Sequence, residues 1–310
     1  MSDMTIIIVT WNAMGVIDNC LRSIDPSSTR LALRTVVVDN GSTDGTPDHV
    51  ARAYPGLVVM RNTDNVGFAA ANNQAIREDK SRLVLLLNPD TVVCEGALDA
   101  MAACLDAHPD WWVAGPAMLN ADGTAQRTGV KFPTNWNIFV ETLFLDRLFR
   151  STRLFGSHRE LYADPARPRR VDYLQGACLM LRREAIERVG GLDEEYFMYF
   201  EETDWCYRVR EAGGAVGLCP AGSVVHLGGG EVAHYDERRL VHYHESLLMF
   251  YRKHYSKERR AGARIILILR SFIRLVIWVP VAAFNSRLRR GAVSSIRGYA
   301  RVLGLLVGRT

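Results

Sequence analysis

Residues 35–46 read Thr35-Val36-Val37-Val38-Asp39-Asn40-Gly41-Ser42-Thr43-Asp44-Gly45-Thr46, a β-branched run that stops in a polar, glycine-bearing loop. Such a run reads as a buried strand, and such a loop as the turn that ends it. Outward from it, short apolar runs recur at Ile6 to Thr10, Leu57 to Met60 and Leu83 to Leu87, with helical patterns at Val16 to Ile24 and Ala69 to Arg77 between them. Alternation at this spacing predicts β-α-β crossovers, hence an α/β fold with a largely parallel sheet covered on both faces. The chain has 310 residues, 48% hydrophobic and 23% charged, which suits one large domain or two smaller ones.

Past the crossovers, Trp136 to Phe155 is rich in Leu, Phe and Arg, and Ala163 to Arg170 reads as a mobile loop. A second block, Asp172 to about Tyr255, holds the small-residue turn Gln175-Gly176-Ala177, a strand-like run, a helix from Arg183 to Val189 and the acidic cluster Glu201-Glu202-Thr203-Asp204. The expected layout is a catalytic domain over 1–255, with halves at 1–130 and 171–255, and a tail over 256–310.

In parallel α/β sheets ligands bind beyond the carboxyl ends of the strands, and here those ends are polar. The first runs into Thr10-Trp11-Asn12, the second into Asp39-Asn40, and the fourth into Asn88-Pro89-Asp90. No Gly-x-Gly-x-x-Gly follows the first strand and no Gly-x-x-x-x-Gly-Lys-Ser/Thr occurs, so dehydrogenase and P-loop readings are weak. Asp39 is placed to accept the imide N–H of uracil or thymine, and Asp90 to hold a divalent metal against a leaving diphosphate. The acids at 201–204 lie among Tyr196, Phe197, Tyr199, Phe200 and Trp205, which predicts partial desolvation and raised pKa values. One of them is expected to act as a base.

This ordered series of motifs resembles the inverting family-two glycosyltransferases of the GT-A fold, nearest to their bacterial rhamnosyltransferase-like branch. The resemblance rests on Thr10-Trp11-Asn12, Val36 to Gly45, Asn65-Val66-Gly67-Phe68-Ala69, Leu87-Asn88-Pro89-Asp90, Gly176-Ala177-Cys178-Leu179, Gly190 to Glu194 and Phe200 to Trp205, and spans residues 4–250. It implies a donor site at Thr10, Asn12, Asp39, Asn40, Asn65, Gly67, Phe68, Asn88 and Asp90. It implies acceptor contacts at Gln175, Gly176, Ala177, Glu201, Asp204 and Trp205, and a catalytic base at Glu202. A divalent cation, Mg²⁺ or Mn²⁺, would be held by Asp90 and His226, with Asn88 standing where the family has the first carboxylate of its Asp-x-Asp motif. The donor would be dTDP-rhamnose or a UDP-hexose and the acceptor a saccharide or lipid-linked saccharide. Two rivals are a nucleotidyltransferase, which normally opens strand one with a glycine-rich basic loop, and an inactive binding module, which would lack the acids kept here.

Charge is uneven. Residues 252–310 carry 14 Lys and Arg against one acid, a charge of +13, so residues 1–251 balance to −9 within the chain total of +4. A basic, apolar terminus favours anionic lipid over nucleic acid. Within it Ile265 to Phe284 is long enough to span a bilayer, yet contains Arg270 and Arg274 and is interrupted by Pro280. At 100° per residue Arg259, Arg260, Arg264, Arg270 and Arg274 fall on one arc and Ile265, Leu269, Phe272 and Val276 on the other, which predicts an in-plane interfacial helix. The first residues offer no signal sequence. The expected location is cytoplasmic, peripheral on the inner membrane face. Six dispersed cysteines, with no metal or redox spacing, predict reduced thiols.

Overall fold

The computed structural model describes residues 2–126, 128–149, 151–156, 158, 167–228 and 236–308. Two compact units divide the chain: residues 1–130, 164–197 and 201–229 form the first, and residues 131–163, 198–200 and 230–310 the second.

The first unit is the α/β body. In chain order it runs β1 (Met4–Thr10), α1 (Ile17–Ser23), β2 (Leu33–Asn40), α2 (Thr46–Ala53), β3 (Val58–Asn62), α3 (Phe68–Glu78), β4 (Leu83–Leu87), β5 (Thr91–Val93), α4 (Ala97–Ala107), β6 (Trp111–Leu119), β7 (Ala125–Gln126) and β8 (Gly129–Val130). The second unit then takes α5 (Asn135–Thr142) and α6 (Leu145–Leu148). The body resumes with β9 (Arg169–Val171), β10 (Tyr173–Leu174), β11 (Cys178–Arg182), α7 (Arg183–Val189), α8 (Glu201–Glu211) and β12 (Ala215–His226). The expected strands and helices thus lie within a few residues of their sequence positions. Of the expected loop, residues 163–166 lie outside the described residues, and Arg169 and Arg170 belong to β9.

The main sheet has the order β3-β2-β1-β4-β11-β6-β12-β5, with β7 beside β6 and β9 beside β12. Strands β3, β2, β1 and β4 are parallel, as crossovers require. Strand β11 enters antiparallel between β4 and β6, its Cys178 opposite Leu87. That register sets the Gln175-Gly176-Ala177 turn across from the polar end of β4. Residues on both faces of the central strands, such as Ile6, Ile7, Leu85 and Leu86, are fully buried, so these strands read as unbroken apolar runs. One thiol expectation is corrected: Cys104 on α4 and Cys219 on β12 form a disulfide across 115 residues, because α4 packs on β12. Cys20, Cys178 and Cys206 are free and buried, and Cys94 is free and half-buried.

The second unit is helical. Its long elements are α9 (Glu237–His254), α10 (Lys257–Phe284) and α11 (Arg289–Val307), which pack on one another, with α5 against α10. The sequence reading placed a boundary at residue 255, whereas this unit also takes in α5, α6 and α9. Side chains of Asp236 and Ser256 accept the backbone N–H groups of Arg239 and Arg259, capping α9 and α10. Helix α10 runs through Pro280 rather than ending there. Pro280 leaves the carbonyl four residues back, on Val276, without its helical donor, and Val276 lies on the exposed side of the helix.

Candidate active site

The polar ends of β1 and β2 are stitched together. Asp39 is buried, with Oδ1 accepting the Thr10 hydroxyl at 3.2 Å and Oδ2 the Ser42 N–H at 3.0 Å. Asn12 adopts a left-handed backbone (φ 51°), and its Oδ1 accepts the Thr43 N–H at 2.8 Å while its own N–H reaches the Ser42 hydroxyl at 2.8 Å. Asp44 accepts from Met14 N–H at 3.0 Å and from the Thr46 hydroxyl at 2.6 Å. Two loops 30 residues apart in sequence therefore form one ledge at the carboxyl end of the sheet, with the Trp11 ring largely exposed on it.

Asn40 organises the next loop. Its amide donates to Asn65 Oδ1 at 2.9 Å and to the Gly67 carbonyl at 3.2 Å, and its oxygen accepts from Asn62 and from the Val66 N–H, both at 3.1 Å. These four bonds use the donors and acceptor lone pairs of one amide. Asn40 is thereby a positioning residue for 62–67, and Asn65 Oδ1 also accepts the Gly67 N–H at 3.0 Å. Gly67 has φ 89°, and a Cβ there would lie 2.8 Å from the Phe197 carbonyl oxygen, which also accepts the Phe68 N–H at 3.0 Å. Only glycine suits both constraints.

At the end of β4 the Asn88 N–H donates to the Ala177 carbonyl at 2.9 Å, tying the Asn88-Pro89-Asp90 turn to the Gln175-Gly176-Ala177 turn. Antiparallel pairing of β5 with β12 sets His226 opposite Thr91. The carboxylate of Asp90 consequently lies 3.4 Å from His226 Nε2, both side chains being partly exposed. His226 Nδ1 faces Gln126 Oε1 at 3.2 Å. The amide of Gln126 donates to the His226 carbonyl at 2.9 Å and to Asn120 Oδ1 at 2.8 Å, which orients its oxygen toward the ring. No sequence signal marked Gln126: it is the last residue of a two-residue strand, and its role comes from the β6–β7 hairpin.

Tyr199 and Phe200, both at φ 67°, precede α8 in a conformation that costs a non-glycine residue about 1–2 kcal/mol. Glu201 and Glu202 then open the helix. Both carboxyls are enclosed, and Oε2 of each meets no hydrogen-bond partner among the described residues. Burial pushes Glu201 well above the usual carboxylate range, and the adjacent Glu202 charge pushes it further. Burial raises Glu202 to about 7, against the pull of the backbone N–H groups of Glu202, Thr203 and Gly176. Gly176 sits over Glu202: a Cβ there would lie 3.5 Å from Glu202 Cγ. Asp204 and the Trp205 that follows it are engaged in the fold. Asp204 pairs with Arg208 one helical turn on at 2.8 Å, and the Trp205 indole N–H donates to the Gly190 carbonyl at 2.7 Å. His226, Gln126, Glu202 and the Asp39 ledge all belong to the first unit.

Residues 5–190 match the family model described as "Glycosyl transferase family 2". A Mycobacterium tuberculosis protein named N-acetylglucosaminyl-diphospho-decaprenol L-rhamnosyltransferase is 27% identical over 232 residues, covering 71% of this chain and 75% of its own. The low-salt glycan biosynthesis hexosyltransferase Agl10 of Haloferax volcanii is 27% identical over 236 residues, covering 73% of this chain and 67% of its own. Among solved structures, the mannosyltransferase PcManGT of Pyrobaculum calidifontis, in complex with GDP-Man and Mn²⁺, superposes with a TM-score of 0.57 at 19% identity, covering 98% of this chain and 86% of that one. That likeness shows the GT-A glycosyltransferase fold, and the family match covers the crossovers, the ledge and the Asn88-Pro89-Asp90 turn: the chain is a glycosyltransferase and belongs to glycosyl transferase family 2.

Proposed function

We propose that this glycosyltransferase moves a sugar, with inversion, from a nucleotide diphosphate to a hydroxyl of a lipid-linked saccharide in bacterial cell-envelope polysaccharide synthesis. The favoured donor is dTDP-rhamnose, with a UDP-hexose second, and the name of the mycobacterial relative supports both the sugar and the lipid-linked acceptor. The observation that carries the reading is the pair of enclosed carboxylates at the head of α8, each with an oxygen lacking a partner among the described residues.

In this reading Glu202 is the base. The acceptor hydroxyl attacks the anomeric carbon, its proton passes to Glu202, and the bond to the diphosphate oxygen breaks on the opposite face. A base held near neutrality by burial matches such a step, and a positioned base contributes roughly 10²- to 10⁴-fold. Glu201, held toward its protonated form by burial and the neighbouring Glu202 charge, serves as a hydrogen-bond donor to the acceptor together with the Gln175-Gly176-Ala177 turn. Asp204 and Trp205, bonded within the fold, support that wall from behind. Thr10, Asn12 and Asp39 receive the nucleoside, Asn40 holds Asn65, Gly67 and Phe68 in place to shape the donor pocket, and Asn88 faces the diphosphate.

Asp90 and His226 fit a divalent cation, Mg²⁺ or Mn²⁺. A carboxylate oxygen and an imidazole nitrogen converge, and the second ring nitrogen is already occupied by Gln126. Among the described residues no three His, Cys, Asp or Glu side chains gather into a full site, so the donor diphosphate would complete the set. Bound there, the cation would offset the charge of the leaving diphosphate. Residues 256–310 attach the enzyme peripherally to the inner face of an anionic membrane, where a lipid-linked acceptor is found.

The test is release of dTDP or UDP from a set of nucleotide sugars in the presence of extracted lipid acceptors. Release from one thymidine or uridine donor, abolished by Glu202→Gln, supports the assignment. Absence of release from every donor, or release undiminished in Glu202→Gln, refutes it.

A further inference from the structure

Periodicity divides α10 into a basic arc and an apolar arc, and the fold turns them the opposite way from what Coulomb attraction to a membrane would require. Of the basic arc, Arg264, Arg270 and Arg274 face protein. Arg270 pairs with Glu141 of α5 at 3.1 Å, and Arg274 stacks its guanidinium 3.8 Å from the centre of the Phe144 ring. Arg264 donates to the carbonyls of Leu306 and Gly308 at the end of α11. Ala263, Leu267 and Ser271, on the same side, are buried.

The apolar arc is bare. Ile265 is 68% exposed, Leu269 43%, Phe272 56%, Val276 74% and Val279 53%. Their spacing of four, three, four and three residues makes a straight stripe about 20 Å long at 1.5 Å per residue. Phe284 and Leu288 extend it, exposed, into the turn that carries Arg287 and the start of α11 with Arg289 and Arg290, which are exposed as well. At the other end lies Lys257, also exposed.

We propose that this stripe is bedded in the acyl layer of an anionic bilayer, with α10 lying in the membrane plane and the basic residues at its two ends on lipid headgroups. The proposal rests on the membrane attachment advanced above and deepens it: lipid insertion by the apolar face holds the protein, and the arginine arc holds the helix to its own unit. A second copy is the poorer occupant. Stripe against stripe would set basic ends against basic ends in either orientation, at the cost of like-charge contact. The helix is also the one, among the described residues, long and apolar enough to cross a bilayer. Spanning is disfavoured because α5, α9 and α11 cover one side of it and would have to enter hydrocarbon with Arg270 and Glu141.

The experiment is flotation of the full chain with vesicles of phosphatidylcholine containing phosphatidylglycerol. We compare wild type, Phe272→Asp with Val276→Asp, Phe272→Leu with Val276→Leu, and Arg287→Gln with Arg290→Gln. Circular dichroism checks folding, which these exposed sites should not disturb. The Asp pair should reduce binding at least about tenfold, and the Leu pair should keep it. The Gln pair should lower it less and remove part of its salt dependence. Binding retained by the Asp pair but abolished by the Gln pair overturns stripe insertion and leaves membrane attachment standing. Failure of wild type to float overturns both. Resistance to alkaline carbonate extraction overturns the in-plane geometry, and a wild-type dimer split by the Asp pair assigns the stripe to a second copy instead.

Discussion

Gln126 fixes the tautomer of His226. Its amide N–H₂ is committed to the His226 carbonyl and to Asn120, so its oxygen, an acceptor only, must take the Nδ1 proton of the imidazole at 3.2 Å. The lone pair of neutral His226 is thereby left on Nε2, the atom 3.4 Å from the Asp90 carboxylate. Metal-binding histidines are commonly oriented by such an acceptor on the far nitrogen.

Gln126→Leu should therefore weaken Mn²⁺ binding about 10- to 100-fold, the usual worth of such an orienting partner. Free Mn²⁺ measured by electron paramagnetic resonance, with UDP present, gives the readout without turnover. Gln126→Glu should restore the acceptor and most of the affinity. Unchanged affinity in Gln126→Leu would remove Gln126 from the site.

If Glu202 is the base, its ionised form is the active one, and kcat/KM should climb as pH rises through about 7. Glu202→Gln should lose roughly 10²- to 10⁴-fold in kcat while donor affinity by calorimetry stays near wild type. Glu201→Gln should lose less. A rate loss confined to Glu201→Gln would move the base by one residue.

The same pair should make stability depend on pH. Both carboxyls are raised above the ordinary value of 4.5, so the folded state binds these protons more tightly than the unfolded state. Their contribution is present in full below the unfolded value and is lost as pH rises through the folded one. Unfolding free energy, and melting temperature with it, should consequently fall from pH 5 to pH 8, the free energy by up to about 1.4 kcal/mol per pH unit per proton. Glu201→Gln and Glu202→Gln should each flatten the decline. A wild-type profile that is level over this window would show that the two carboxyls titrate normally.

Asp204 should behave as a structural residue. It is almost wholly buried and paired with Arg208, whose guanidinium also donates to the Val189 and Gly191 carbonyls. Asp204→Asn should cost somewhat less than the roughly 3–5 kcal/mol of a fully buried pair broken on one side, because Arg208 is partly exposed, with a rate loss well below that of Glu202→Gln. Differential scanning calorimetry and initial rates separate the two. A severe rate loss at unchanged melting temperature would put Asp204 back among the acceptor contacts.

Much of the body was legible in the sequence because its signals are local. β-branched runs at Ile6 to Thr10 and Thr35 to Asp39, polar loops after them, and the helix at Arg183 to Val189 depend on neighbours a few residues apart, where periodicity and turn chemistry act. Tertiary structure alone decided the rest. Strand pairing sets Gln126 behind His226, helix packing joins Cys104 to Cys219, and of the acidic cluster it is Glu201 and Glu202 that keep an unpartnered oxygen among the described residues while Asp204 pairs with Arg208. In α10 the sequence determined that arginines and apolar side chains occupy opposite arcs, because helical geometry follows from residue spacing. Which arc meets protein was decided by Glu141, Phe144 and the end of α11, partners far away in sequence whose bonds to the arginines turn the apolar stripe outward.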